Sequence, residues 1–108
     1  FRRSKWFSAI EKECKNVREN VGLLDMTAFA KCRIKGLGAE AFLDKLVANK
    51  LPKKIGRINL CHALNTKGGV HSEFTIMRES ETSFYLVSAG AFQRLDLDWI
   101  LKCLYQKN

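Results

Sequence analysis

Between Arg57 and Ser88 the sequence runs through three short stretches of strand-like alternation, separated by two loops. Alternation of apolar and polar residues has the two-residue period of a strand with one buried face. Short loops between successive strands favour antiparallel pairing. The first stretch, Arg57 to Leu64, sets Ile58, Leu60, His62 and Leu64 on the face expected to turn inward. The second, Val70 to Arg78, sets Val70, Ser72, Phe74 and Ile76 against His71, Glu73, Thr75 and Met77. The third runs from Phe84 to Ser88. Asn65-Thr66-Lys67-Gly68-Gly69 is a loop whose glycines are free to take positive φ, and polar Glu79 to Ser83 makes the next turn.

Around these strands the period changes. Ile10, Cys14, Val17 and Val21 form one apolar stripe and predict a helix from Ser8 to about Val21. Ser8 and Glu11 would form its capping box, and Gly22 would end it. Leu23 to Ala28 reads as an irregular crossing segment. Ala30, Cys32 and Ile34 then alternate with Lys31, Arg33 and Lys35, another strand, punctuated by Gly36 and Gly38. Ala39 to Val47 is helical, and Pro52 forbids its continuation. Phe92, Leu95, Trp99, Cys103 and Leu104 predict a last amphipathic helix ending near Tyr105, with Phe92 and Trp99 in its core stripe. The order is one N-terminal helix, then β-α-β-β-β-α. It predicts an α+β layer, a mostly antiparallel sheet with helices on one face.

At 108 residues one unit is expected, covering 1–108. Hydrophobic residues make up 46% and charged residues 28%, which argues against intrinsic disorder. No stretch approaches the roughly 20 apolar residues that span a bilayer. The chain begins with Phe1 rather than Met, which reads as an excised piece of something longer. The net charge of +8 suits an anionic partner. Its densest cluster is Lys50, Lys53, Lys54 and Arg57. No recognised nucleic-acid motif accompanies that charge, which weighs against a small nucleic-acid-binding module. Cys14, Cys32, Cys61 and Cys103 include no Cys-x-x-Cys pair, so neither zinc nor a disulfide framework is expected. Four reduced, mostly buried thiols favour a reducing compartment.

Glu73 is the most pointed candidate for chemistry. It sits in mid-strand, where Glu is disfavoured, on the face opposite Phe74 and Ile76. It reads either as a solvent-facing residue or as a carboxylate lining a pocket, able to take a proton. His71, two residues away, stands parallel to it and makes a poor dyad. His62 reads as a satisfied core histidine. Gly68-Gly69 lacks the rest of a phosphate-loop motif. No serine-nucleophile arrangement is readable.

The order of local motifs says more. Glu13-Cys14-Lys15-Asn16-Val17-Arg18-Glu19 leads into Val21-Gly22-Leu23-Leu24-Asp25-Met26-Thr27. Gly38-Ala39-Glu40-Ala41-Phe42-Leu43-Asp44, Ala48-Asn49 and Leu64-Asn65-Thr66-Lys67-Gly68-Gly69-Val70 follow. Ser72-Glu73-Phe74-Thr75 and Asp96-Leu97-Asp98-Trp99-Ile100 close the series. From about Trp6 to Leu104 this resembles the folate-binding aminomethyltransferase domain of the glycine-cleavage T-protein. It is similar above all to the version fused behind an FAD domain in dimethylglycine and sarcosine dehydrogenases.

The resemblance implies a three-domain cloverleaf around a central tetrahydrofolate site, of which this chain would be the opening part. It implies that folate captures a one-carbon unit as 5,10-methylenetetrahydrofolate. In the fused enzymes a flavin domain first oxidises an N-methyl amine; the flavin fingerprint falls outside this chain, as do the later Glu and Arg that grip the pterin. Glu73 falls where the family has a catalytic Asp, one methylene shorter. Phe29 aligns with an apolar residue that packs on the pterin, and Thr75 lies two residues past the carboxylate on its face. The basic surface could meet the anionic tail of folate. The pyruvate dehydrogenase phosphatase regulatory subunit resembles the same fused proteins and implies an alternative, non-catalytic interaction role. The location implied is the cytoplasm of a bacterium or the mitochondrial matrix of a eukaryote. A sheet completed by missing polypeptide would expose a surface, across which a homodimer is expected.

Overall fold

The computed structural model describes residues 2–106. Its elements are α1 (Phe7–Glu19), β1 (Ala30–Lys35), α2 (Ala39–Leu46), β2 (Ile58–Leu64), β3 (Val70–Ser80), β4 (Ser83–Ser88) and α3 (Gln93–Tyr105). A 3-10 turn, Gly90–Phe92, leads into α3. The four strands make one sheet in the order β1-β4-β3-β2, and every neighbouring pair is antiparallel. The α+β class and the element order expected from the sequence are those observed.

One sheet face is covered. Cys61 and Ala63 of β2, Phe74 and Ile76 of β3, and Phe84 and Leu86 of β4 all turn toward it. Ala39, Leu43 and Leu46 of α2 and Ile100 of α3 close over them. Arg78 continues the inward row of β3 and is only 6% exposed. A buried cation must be paired and hydrogen-bonded. Its Nε donates to Pro52 O at 2.7 Å, its terminal nitrogen pairs with Glu40, and its guanidinium lies 4.6 Å from the centre of the Phe84 ring. One side chain thus ties β3 to the first turn of α2 and to the loop behind it.

The outer edge of β2 is closed by the segment that leaves α2. Ala48 N–H donates to His62 O at 2.9 Å, Asn49 Nδ2 to Leu60 O at 2.6 Å, and Asn59 Nδ2 to Lys50 O at 2.8 Å. An edge so occupied offers no free ladder to another chain.

Four expectations need correction. In β2 the inward face is Cys61 and Ala63, while Ile58, Leu60, His62 and Leu64 face outward. Both faces of that run are apolar, so alternation alone does not choose between them. Register does: Cys61 stands opposite Phe74, and a small side chain beside a large ring fills the layer. His62 is therefore no core histidine. In α3 the buried residues are Asp96 and Ile100, with Trp99 and Cys103 packed partly against the core; Leu95 and Leu104 are exposed, and Phe92 belongs to the preceding turn.

The N-terminal helix has no side-chain cap from Ser8. It starts at Phe7 and ends before Asn20, where the Asn16 side chain closes the turn by donating to Val21 O at 2.9 Å. Its apolar stripe is left exposed, as are all of residues 2–29. The Cα radius of gyration of 18.3 Å reflects this, against about 13 Å for a compact chain of this length. Of the four thiols only Cys61 is fully buried, and Cys14 is exposed. Burial pushes the Cys61 and Cys32 thiols up from their ordinary values.

Phe74 is 1% exposed at the centre of the layer, whereas Val70 on the same strand is 63% exposed. Phe74→Ala should lower the unfolding free energy by about 3–5 kcal/mol in urea denaturation, and Val70→Ala by less than about 1 kcal/mol.

Candidate functional site

The site forms where the sheet runs out. β4 ends at Ser88, while β3 extends to Val70 on the far side of Glu73. Thr75 pairs with Val87, so continued pairing would set Glu73 opposite Ala89. The chain instead turns away through Gly90 into α3. The same register on the other side of β4 sets Phe29 opposite Ala89, one residue before β1 begins. A gap one strand wide is thus left between Glu73 and Phe29. It is a cavity of about 390 Å³ lined by Phe29, Glu73 and Thr75, with Val87, Phe92, His71, Ser72 and Asp96 among its other walls. The three residues singled out in the sequence, Phe29, Glu73 and Thr75, are brought together on one cavity.

Each is held by local chemistry. Lys31 Nζ donates to Thr27 O at 2.8 Å and to Phe29 O at 2.6 Å, which folds the segment before β1 back on itself. Asp25 Oδ1 accepts from Thr27 N–H at 2.8 Å, and hydrogen bonding from Thr27 holds the Asp25 carboxyl below its ordinary value. Phe29 is left 42% exposed, with its ring available to the cavity. Thr75 lies between Leu60 and Val87 on the open face.

Glu73 pairs with His62 directly across the ladder. His62 Nε2 and Glu73 Oε2 are 2.9 Å apart, a distance at which Nε2–H donates to the carboxylate. The side chains are 38% and 60% exposed, so the contact orients the carboxylate more than it stabilises the fold. His71, the sequence neighbour, is not the partner: its ring stacks on Trp99 at 4.0 Å, and its Nδ1 lies 2.8 Å from Ser72 Oγ.

Two residues of the site were missed in the sequence. Asp96 is 5% exposed and lines the cavity from the first turn of α3, where a carboxylate suits the helix dipole. It was hidden inside a stripe assigned to apolar residues. Gly90 is the other. A Cβ there would overlap Ala28 O and lie 3.0 Å from Ala28 C, so only glycine lets the Phe29 segment pass so close to the end of β4. A lone glycine after a predicted strand carries no such signal by itself. Among the described residues no group of three or more His, Cys, Asp or Glu could hold a metal ion. No helix among them is long and apolar enough to cross a membrane.

The layer is antiparallel, with a part-apolar, part-carboxylate hollow at its frayed end. The chain matches the GCVT N-terminal domain family over residues 1–106, and it belongs to that family. It is 36% identical to mouse mitochondrial dimethylglycine dehydrogenase over 106 residues, which are 98% of this chain and 12% of that protein. It is 33% identical to the mouse mitochondrial pyruvate dehydrogenase phosphatase regulatory subunit over 106 residues, 96% of this chain and 12% of that one. The chain thus spans about an eighth of each of these mouse relatives. The crystal structure of glycine cleavage system aminomethyltransferase T from Bartonella henselae superposes with a TM-score of 0.71 at 21% identity, covering 78% of this chain and 24% of that one. That likeness establishes a shared fold.

Gly90→Ala should force the Ala28–Phe29 backbone away from β4. Thermal unfolding should register a loss of about 1–3 kcal/mol, and amide shifts in an NMR spectrum should change at Ala28, Phe29 and Ala89. An unchanged spectrum at those three residues would contradict the close approach.

Proposed function

We propose that this chain is the tetrahydrofolate-facing lobe of a dimethylglycine dehydrogenase-like protein, and that its cavity takes one side of the pterin. The observation that carries this is the convergence of Phe29, Glu73 and Thr75 on one hollow, from three places in the sequence. The donor set fits such a ligand. A flat, nitrogen-rich bicycle needs an aromatic face to stack on and carboxylate or hydroxyl oxygens at its rim, and the cavity supplies Phe29 and Phe92 with Glu73 and Thr75.

Bound tetrahydrofolate supplies a nitrogen that accepts a one-carbon unit. The protein's own part is positioning and proton management. Phe29 offers its ring to the pterin face. Glu73 accepts a hydrogen bond from a ligand N–H and takes up a proton released there. His62 fixes the direction of that carboxylate from the neighbouring strand. The flavin, the amine oxidation and a mitochondrial-matrix or bacterial-cytoplasmic address belong to the same proposal for the whole protein, and none of them is assigned to residues of this lobe.

The 33% identity to the phosphatase regulatory subunit supports a second reading, a protein-interaction role without folate. Tetrahydrofolate titrated into the whole protein separates the two. Under the first reading it binds saturably, and Glu73→Gln lowers the yield of methylenetetrahydrofolate about 100-fold while amine oxidation continues. Equal yield in the variant would remove Glu73 from the site. Absence of binding, together with capture of a phosphatase, would establish the second reading.

A further inference from the structure

His71 stands on the cavity wall, two residues before Glu73 on β3, and takes no part in holding that carboxylate. Two contacts fix its ring. One is a stack on Trp99 of α3, with ring centroids 4.0 Å apart and planes 19° from parallel. The other is from Nδ1 to Ser72 Oγ, at 2.8 Å. Both supports are themselves held: Ser72 is 5% exposed on the inward row of β3, and Trp99 packs partly against the core. Nε2, the other ring nitrogen, has no hydrogen-bond partner among the described residues.

Ser72 decides which nitrogen carries the hydrogen. A buried hydroxyl left without an acceptor costs about 1–3 kcal/mol. The one side-chain hydrogen bond of Ser72 among the described residues is with His71 Nδ1. Oγ–H therefore donates to Nδ1, and in a neutral ring the hydrogen is then on Nε2. A protonated ring carries Nε2–H as well. His71 thus offers a donor in either charge state. The other polar side chains on the wall differ from it. Ionised Glu73 and Asp96 only accept, the hydroxyls of Thr75 and Ser88 do both, and Ser72 is committed to the ring.

We propose that His71 is a specificity-determining residue of this cavity, and that its Nε2–H donates to an acceptor atom of the ligand while Glu73 accepts from a ligand N–H. The ligand class selected is a partly hydrogenated nitrogen heterocycle that carries an N–H together with a carbonyl oxygen or an unprotonated ring nitrogen. This rests on the reading of the cavity as a pterin site and adds a second polar anchor to it. A ligand with acceptors alone would face two carboxylates, and one with donors alone would leave Nε2–H unpaired. The Trp99 stack and the Ser72 bond orient the ring before the ligand arrives, so binding orders little that was free.

The test separates the donor from the stack. His71→Phe keeps an aromatic ring for Trp99 and loses the donor; His71→Gln keeps an N–H near the place of Nε2 and loses the stack. Tetrahydrofolate is titrated into the whole protein and into both variants, and thermal unfolding is followed beside it. His71→Phe should bind about tenfold more weakly while melting as the unchanged protein does, and His71→Gln should bind within about threefold of it. A residue that only packs on Trp99 gives the reverse order, with affinity kept by Phe and lost by Gln. That order, or equal affinity in all three proteins, would overturn the inference and leave the pterin site standing. No binding even to the unchanged protein would remove the pterin reading, and this inference with it.

Discussion

The pairing of β2 with β3 is the constraint on which the rest depends. Side chains alternate with a period of two, so a slip of one residue would exchange the faces of a whole strand. The observed register sets Cys61 against Phe74, which fills the core, and His62 against Glu73, which arms the open face. Packing and chemistry are thus decided by one alignment. Phe74 cannot be buried in this way without Glu73 being turned toward the cavity. Arg78 belongs to the same row as Phe74 and fastens it, because its buried charge is satisfied only while Glu40 and Pro52 stay in place.

The cavity is a consequence of unequal strand lengths. β3 is 11 residues long and β4 is 6, and the shorter strand leaves the sheet before the longer one ends. What would have been a ladder position becomes a space, with a carboxylate on one side and a phenyl ring on the other. Gly90 makes the departure possible by letting the Phe29 segment pass against the turn. The sheet's outer boundaries show the same economy. One edge is closed by Asn49 and Ala48; at the other, among the described residues, β1 pairs with β4 alone.

Much of this was legible in the sequence, for reasons that also explain what was not. Strand positions and the place of Glu73 follow from local alternation, and β3 reads correctly because only one of its faces is apolar. β2 misleads because both of its faces are apolar, and the choice between them is made by Phe74 on the next strand. His62 was misread for the same reason, and with it the partner of Glu73. α3 shows the converse: buried Asp96 was concealed among leucines that turn out to be exposed. The resemblance pointed to Phe29 and Thr75, yet no local pattern could bring Phe29 to Glu73. That proximity depends on how β1, β4 and β3 align, a relation between residues more than forty positions apart.

The most direct test is a crystal structure of the whole protein with tetrahydrofolate bound. The account predicts the pterin against the Phe29 ring, with a ligand nitrogen within hydrogen-bond distance of the Glu73 carboxylate and His62 still on its other side. A pterin bound elsewhere, with Glu73 facing only solvent, would contradict it.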